Sequence, residues 1–360
     1  MIKEQRVILL GVVCRKTDSE EGELDGLISE ELDWAYIVGE LVRHRIDGNF
    51  YCGLNSGQRA YIFPKIKAAL RLLSDCYRAI NTENLTFLQG LLEELNAEGI
   101  RAAGLKGVVF NTDIYDLGAR KSNDIDLMVA EKDLKRLDAV MRRRGFIQSL
   151  DGGRTEASKK EKLIQIMNYH DLIPYFLRID RPYMDAVKVD INFHFDEKDH
   201  DITEAIFDYG LQRYEGNGFA VQGLNKYTHL IQLCVHYFRE TTNALWVNKV
   251  RDLDLYKIVD IENTIRKFTD EELVDWTGTV KRFELEKKCY LTLHYLNLFY
   301  NNERYEKIMR LIEPSDISYI NRITGQGGKD IAVREKDFYE DTFNMKYGRS
   351  FSKTNKTEGK

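Results

Sequence analysis

The 360-residue chain has only four prolines, so few segments carry the residue that ends helices. It has five cysteines, Cys14, Cys52, Cys76, Cys234 and Cys289. An odd number, wide scatter and the lack of a CxxC pair exclude a disulfide framework and a cysteine-built zinc site, and suit a reducing compartment. The apolar run Val7 to Cys14 is too short to span a bilayer, is bounded by charge and lacks a small-residue cleavage site. The expected address is the cytoplasm, with no membrane partner. Positive charge is not in excess either: the formal net charge is −5, which argues against long nucleic acid as the main partner but allows a local basic pocket for a nucleotide. What remains, 43% hydrophobic and 31% charged residues, is the composition of an ordinary soluble globular protein with length enough for two domains.

Apolar residues recur at helical spacing through the first hundred residues. Helices are expected over 1–16, from Ser29 onward (Leu32, Trp34, Ile37, Val38, Leu41, Val42), near 65–80 and over 84–97. An acidic loop is expected at Ser19 to Glu23 and a turn at Asp47-Gly48-Asn49. This N-terminal helical region, 1–98, reads as packing scaffold. Residues 99–223 then change character, with strands expected over 100–105, 124–129, 171–179 and 186–195, and helical segments over 108–115 and 131–144. The basic residues of 131–144 are interleaved with Glu131, Asp133 and Asp138 and read as a solvated face. Helices return over 224–324, and 325–360, opening Gly325-Gln326-Gly327-Gly328, reads as a polar tail, exposed or disordered. The expected fold class is therefore α+β (α/β): a small mixed sheet between an N-terminal helical region and a C-terminal helical domain.

Chemistry concentrates in the central segment. Asp124 and Asp126 are separated by one residue and run into Leu127-Met128-Val129. Alternation along a strand puts both carboxylates on one face, with Ile125 and Leu127 on the other. Two adjacent anions repel unless neutralised, and carboxylate oxygens suit Mg²⁺, which also binds substrate phosphates. In the segment 186–195, Val187, Val189, Ile191, Phe193 and Phe195 alternate with Lys188, Asp190, Asn192 and His194, so Asp190 lies on a polar strand face. Upstream, Lys106-Gly107 stands where a strand gives way to a helix, a position suited to phosphate: glycine permits close approach and lysine adds a charge. Three carboxylates could hold one or two Mg²⁺ ions against a triphosphate, and one of them could serve as general base.

The ordered set of a glycine turn, Asp-Ile-Asp and a distant apolar-Asp-apolar strand resembles the nucleotidyltransferase superfamily, which includes DNA polymerase β and the aminoglycoside nucleotidyltransferases. It is more closely similar to a bacterial family of uncharacterised nucleotidyltransferases, through Leu105-Lys106-Gly107, Arg120, Asp124-Ile125-Asp126-Leu127 and Asp190-Ile191-Asn192-Phe193-His194. The likeness runs from about Trp34 to Tyr256. The chain departs from the superfamily in having Lys106-Gly107 where Gly-Gly or Gly-Ser is usual, and in its longer gaps from Gly107 to Asp124 and on to Asp190.

The resemblance implies a mixed-sheet core in which Asp124 and Asp126 bind both metals and Asp190 binds one and helps deprotonate the acceptor. Asp185 competes for the third place but lies at the strand's start, so Asp190 is preferred. Lys106, Gly107 and Ser122 would contact the triphosphate, and Arg120 would clamp a phosphate or pair on a loop. His194 would support the site or be a structural histidine. His236 and Asp252 would line the acceptor pocket or pack between helices, and Tyr237, Phe238 and Trp246 are core or base-stacking residues. The implied reaction is Mg²⁺-dependent transfer of a nucleoside monophosphate from NTP, with ATP the expected co-substrate, to a small molecule, peptide or protein. The competing readings are a non-catalytic nucleotide-sensing or protein-binding module on the same fold, and a phosphotransferase.

Overall fold

Seven strands form one mixed sheet: β1 (Ala102–Gly104), β2 (Ile125–Val129), β3 (Ile147–Gln148), β4 (Tyr175–Arg181), β5 (Met184–Asn192), β6 (Leu211–Gly216) and β7 (Phe219–Leu224). Their order across the sheet is β3-β4-β5-β2-β1-β7-β6. The structure is a computed structural model and describes residues 1–325, 328–335 and 337–344, with the backbone of 351–353. Its chain divides into two compact units, residues 47–229 and residues 1–46 with 230–360.

In the unit formed by 47–229, central β2 pairs parallel with β5 and antiparallel with β1, and β1 pairs parallel with β7. β4 folds back on β5, and β6 on β7, as antiparallel pairs. All five residues of β2 are buried, as befits a strand with neighbours on both edges. One face of the sheet packs against the long helix Pro64–Ala97 through Leu85, Leu88, Leu91 and Leu95, and the core continues through Ile125, Leu127, Val189 and Ile191. The two helices expected over 65–80 and 84–97 are this single helix of 34 residues. No glycine or proline stands between residues 81 and 84 to divide them, and Pro64 occupies its first turn, where a missing N–H costs nothing. The turn expected at Asp47-Gly48-Asn49 opens a short helix, Asp47–Gly53. The hairpin of β6 and β7 has no counterpart in the strands expected from sequence.

The other unit is mainly helical. The acidic stretch Ser19 to Glu23, expected as a loop, lies in a helix, Asp18–Ile28. Thr17 explains this: its hydroxyl accepts from the Glu20 N–H at 3.3 Å, while the Glu20 carboxylate accepts from the Thr17 N–H at 2.8 Å. This reciprocal cap and the acidic first turn both favour a helix start. The helix expected from Ser29 begins at Trp34, capped by Asp33, whose Oδ1 accepts from the Tyr36 N–H at 2.9 Å. Within this unit the segment expected as an exposed or disordered tail contributes β9 (Asp330–Arg334), which pairs with β8 (Arg322–Thr324), and a helix, Phe338–Thr342. Apolar Ala332 and Phe338 and the Arg334 side chain are buried there. The backbone of β10 (Phe351–Lys353) pairs with β9, and residues 326–327, 336, 345–350 and 354–360 of that tail lie outside the described residues. Among the described residues, no helix is long and apolar enough to cross a membrane.

Candidate active site

β2 and β5 run parallel with Asp126 directly opposite Asp190, and Ile125 opposite Val189. Alternation puts Val187, Val189 and Ile191 into the core and Lys188 and Asp190 on the other face of β5. Asp124 immediately precedes β2 and shares the face of Asp126. The register sets Asp126 beside Asp190, Lys188 ties Asp190 to Asp124, and Lys106 pairs with Asp126. Lys188 Nζ donates to Asp124 Oδ2 at 3.2 Å and to Asp190 Oδ2 at 2.5 Å, and Lys106 Nζ donates to Asp126 Oδ1 at 3.3 Å. Asp190 Oδ1 is buried and, among the described residues, has no hydrogen-bond partner.

The electrostatics follow from three anions sharing two ammonium groups. Burial pushes the Asp190 carboxyl up to about 7; Lys188 opposes this, and Asp126 and Asp124 add to it. Burial also raises Asp126, with Lys106 opposing and Asp124 reinforcing. Burial works against the charge of Asp124 too, but Lys188 and Lys106 together hold its pKa below the ordinary value. The Lys188 ammonium loses solvation on burial, yet Asp190 and Asp124 raise its pKa well above normal. One carboxylate of the cluster is thus secured as an anion, while the charged forms of the other two are disfavoured.

The lysine-bearing bend adjoins this cluster. Lys106 has φ 39° and ψ −113°, a left-handed backbone that a residue with a Cβ adopts only when its surroundings hold it there. The helix expected over 108–115 is a single α-turn, Gly107–Val109, followed by a wider π-turn, Phe110–Ile114. Gly107 faces Ser122 so closely that a Cβ there would lie 2.7 Å from Ser122 Oγ and 3.3 Å from Arg120 Nη1. Arg120 Nη1 donates to Ser122 Oγ at 2.9 Å, and its guanidinium lies 4.8 Å from the Phe110 ring centre. The bend, Arg120 and Ser122 therefore form one cradle, beside the loop that leads into Asp124.

Three contributors, Lys188, Asn81 and Asn84, lie outside the candidate residues named from the sequence. Strand alternation puts Lys188 on the face of Asp190, and its position two residues before Asp190 is the sequence signal for their contact. Asn81 and Asn84, on the long helix, belong to a region read as scaffold. Asn81 Nδ2 donates to the carbonyls of Leu117 at 2.7 Å and Arg120 at 2.8 Å, which pins the loop carrying Arg120. Asn111 Nδ2 donates to Ser122 Oγ at 2.9 Å. A cavity of about 10 Å³, room for one water, is lined by Asn81, Asn84, Gly107, Ser122 and Asp124. Two asparagines three apart on a leucine-rich helix face were the available sign.

The remaining candidates are held elsewhere. Asp185 is exposed and pairs with Arg178 at 3.0 Å. His194 is buried, with Nδ1 3.2 Å from Asp201 Oδ1. His236 and Asp252 belong to the helical unit. There His236 lies 3.6 Å from Glu240, and Asp252, fully buried, accepts from Arg334 Nη2 at 2.6 Å. Tyr237 is buried core. Among the described residues, no three His, Cys, Asp or Glu side chains are arranged as a ready metal cage, and in this geometry ammonium groups take carboxylate oxygens that a cation would need.

Neither the curated proteins nor the solved structures contain a match to this chain. A family model described as "Uncharacterised nucleotidyltransferase" matches residues 30–301, a span that contains Lys106, Gly107, Arg120, Ser122 and all three aspartates of the cluster. The chain belongs to that nucleotidyltransferase family.

Proposed function

We propose that the chain moves a nucleoside monophosphate from NTP, with ATP the expected co-substrate, to a hydroxyl on a small molecule, peptide or protein, releasing pyrophosphate with the help of Mg²⁺. The observation that carries this reading is the opposition of Asp126 and Asp190 across β2 and β5, with Asp124 tied to Asp190 through Lys188.

The donor set fits a hard divalent cation. It is all carboxylate oxygen, and buried Asp190 Oδ1, without a hydrogen-bond partner among the described residues, is an orphan acceptor of the kind that native interiors rarely leave unsatisfied. Asp124, Asp126 and Asp190 would hold such an ion, and when bound it would supply positive charge against the triphosphate. The chain's own part is positioning. Gly107 leaves room at the cradle, and Arg120 and Ser122, already bonded to each other, offer a guanidinium and a hydroxyl to phosphate oxygens. Lys106 adds an ammonium beside Asp126. Asp190 would bind one metal and help to take the acceptor's proton.

The test is transfer of label from α-phosphate-labelled NTP to candidate acceptors in the presence of Mg²⁺. Wild type should transfer label with release of pyrophosphate, and Asp124→Asn and Asp126→Asn should abolish transfer. Variants equal to wild type would overturn the reading. Release of a nucleoside diphosphate would make the protein a phosphotransferase.

A further inference from the structure

Lys188 bridges carboxylates contributed by two chain segments. Its Nζ lies within bonding distance of Asp124 Oδ2 and Asp190 Oδ2 at once, and its side chain keeps 29% of its exposure, so it has a way out toward solvent. An ammonium supplies donors only, and it engages the same oxygens that a divalent cation would use as ligands. The two compete for them: at ligating distances their charges repel through an environment more apolar than water. Lys188 does not fully satisfy the site either, since Asp190 Oδ1 remains without a partner. Lys106 makes the matching contact on Asp126 at 3.3 Å.

We propose that Lys188 is a resident cation that a divalent metal must displace from between Asp124 and Asp190, making it a positioning residue that keeps the site weak for free metal and couples metal entry to nucleotide. Once displaced, the ammonium needs a new anion, and a triphosphate oxygen supplies one. Metal and triphosphate then enter as a pair, because each relieves the charge that the other leaves unpaired. This inference rests on the metal-dependent transferase reading.

The test measures Mn²⁺ affinity by electron paramagnetic resonance without nucleotide. Removing the competing charge in Lys188→Met should tighten Mn²⁺ binding by about tenfold or more, whereas Lys188→Arg should bind as weakly as wild type. A Lys188→Met protein with unchanged or weaker affinity overturns the proposal; a lysine that merely holds the fold together would give that result. A second readout needs no variant: acylation of Lys188 by acetic anhydride, followed by mass spectrometry, should rise several-fold at saturating Mn²⁺. Unchanged labelling at saturation also overturns it. Asp126→Asn separates this inference from the reading beneath it. If wild type shows no Mn²⁺ binding that Asp126→Asn removes, the metal-dependent transferase reading falls. If that binding is present and Lys188→Met leaves it unaltered, only the resident-cation role falls.

Discussion

Asp126 and Asp190 face each other in the parallel register of β2 and β5, although 63 residues separate them in sequence. Two carboxylates so placed, in a buried setting that disfavours the charged form of both, oppose the stability of the apo fold. Such an arrangement persists where function requires it. Asp126→Asn should therefore lower nucleotidyl transfer by about a hundredfold or more and leave the melting temperature of the apo protein unchanged or higher. Label transfer from NTP and thermal unfolding followed by circular dichroism check the two halves. A variant that is both inactive and strongly destabilised would mean that Asp126 serves the fold.

Gly107 gives a prediction of the opposite kind, in which added bulk does the damage. Its φ is not in the left-handed region, so alanine meets no backbone strain there. The added methyl would stand 2.7 Å from Ser122 Oγ and 3.2 Å from Ser122 Cβ, and must push Ser122 and Arg120 aside. Gly107→Ala should cost about 1–3 kcal/mol in stability and raise KM for NTP by about tenfold, with a smaller effect on metal affinity. Urea unfolding and steady-state kinetics measure these. An unchanged KM would show that the cradle does not touch the nucleotide.

How much of this site could be read from residues alone depended on whether the deciding contact was local. Asp124 and Asp126 were legible because strand alternation is a two-residue rule. Gly107, Arg120 and Ser122 lie within 16 positions of each other in sequence, and the structure gathers them. Lys188 was visible on the correct face of β5, but its task depends on the register of β5 against β2, which no local pattern encodes. The role of Asn81 was hidden for the same reason, since it arises where a helix meets a loop 36 residues away. The helix at Asp18–Ile28 is a different case. Its start, Thr17 with Glu20 three residues on, is a purely local capping signal, and the acidic composition obscured it. The strand β9 in the expected tail was masked by charged neighbours, because composition averages over the few apolar residues that actually pack.

Asp252 and Arg334 form a pair with both side chains almost completely buried, 2.6 Å apart. Removing one partner takes this counter-charge from the other, which stays buried. Asp252→Asn should cost about 3–5 kcal/mol, and Asp252→Asn with Arg334→Met should cost less than the sum of the single changes. Denaturant titration of the three variants completes the cycle. If Asp252 instead contacts an acceptor, Asp252→Asn will raise the acceptor KM with little loss of stability.

Glu20 carries a pH prediction in the helical unit. Arg266 grips its carboxylate with two bonds, Nη1 to Oε2 at 2.7 Å and Nη2 to Oε1 at 2.6 Å. Burial alone would raise the Glu20 pKa, but Arg266 and the bonds from Thr17 bring it from 4.5 to about 2. A carboxylate whose folded pKa lies below its unfolded value stabilises the fold fully above the unfolded pKa and loses that contribution as pH falls through the folded one. The contribution of Glu20 should therefore be complete above pH 4.5 and disappear on acidification toward pH 2. Glu20→Gln should be less stable than wild type by about 1–3 kcal/mol at neutral pH, and the gap should narrow steadily across that acid window. Urea unfolding of both proteins from pH 7 to pH 2 measures it. No gap at any pH would mean that Glu20 acts through its cap on Thr17, a hydrogen bond that glutamine can keep, and not through the charge it shares with Arg266.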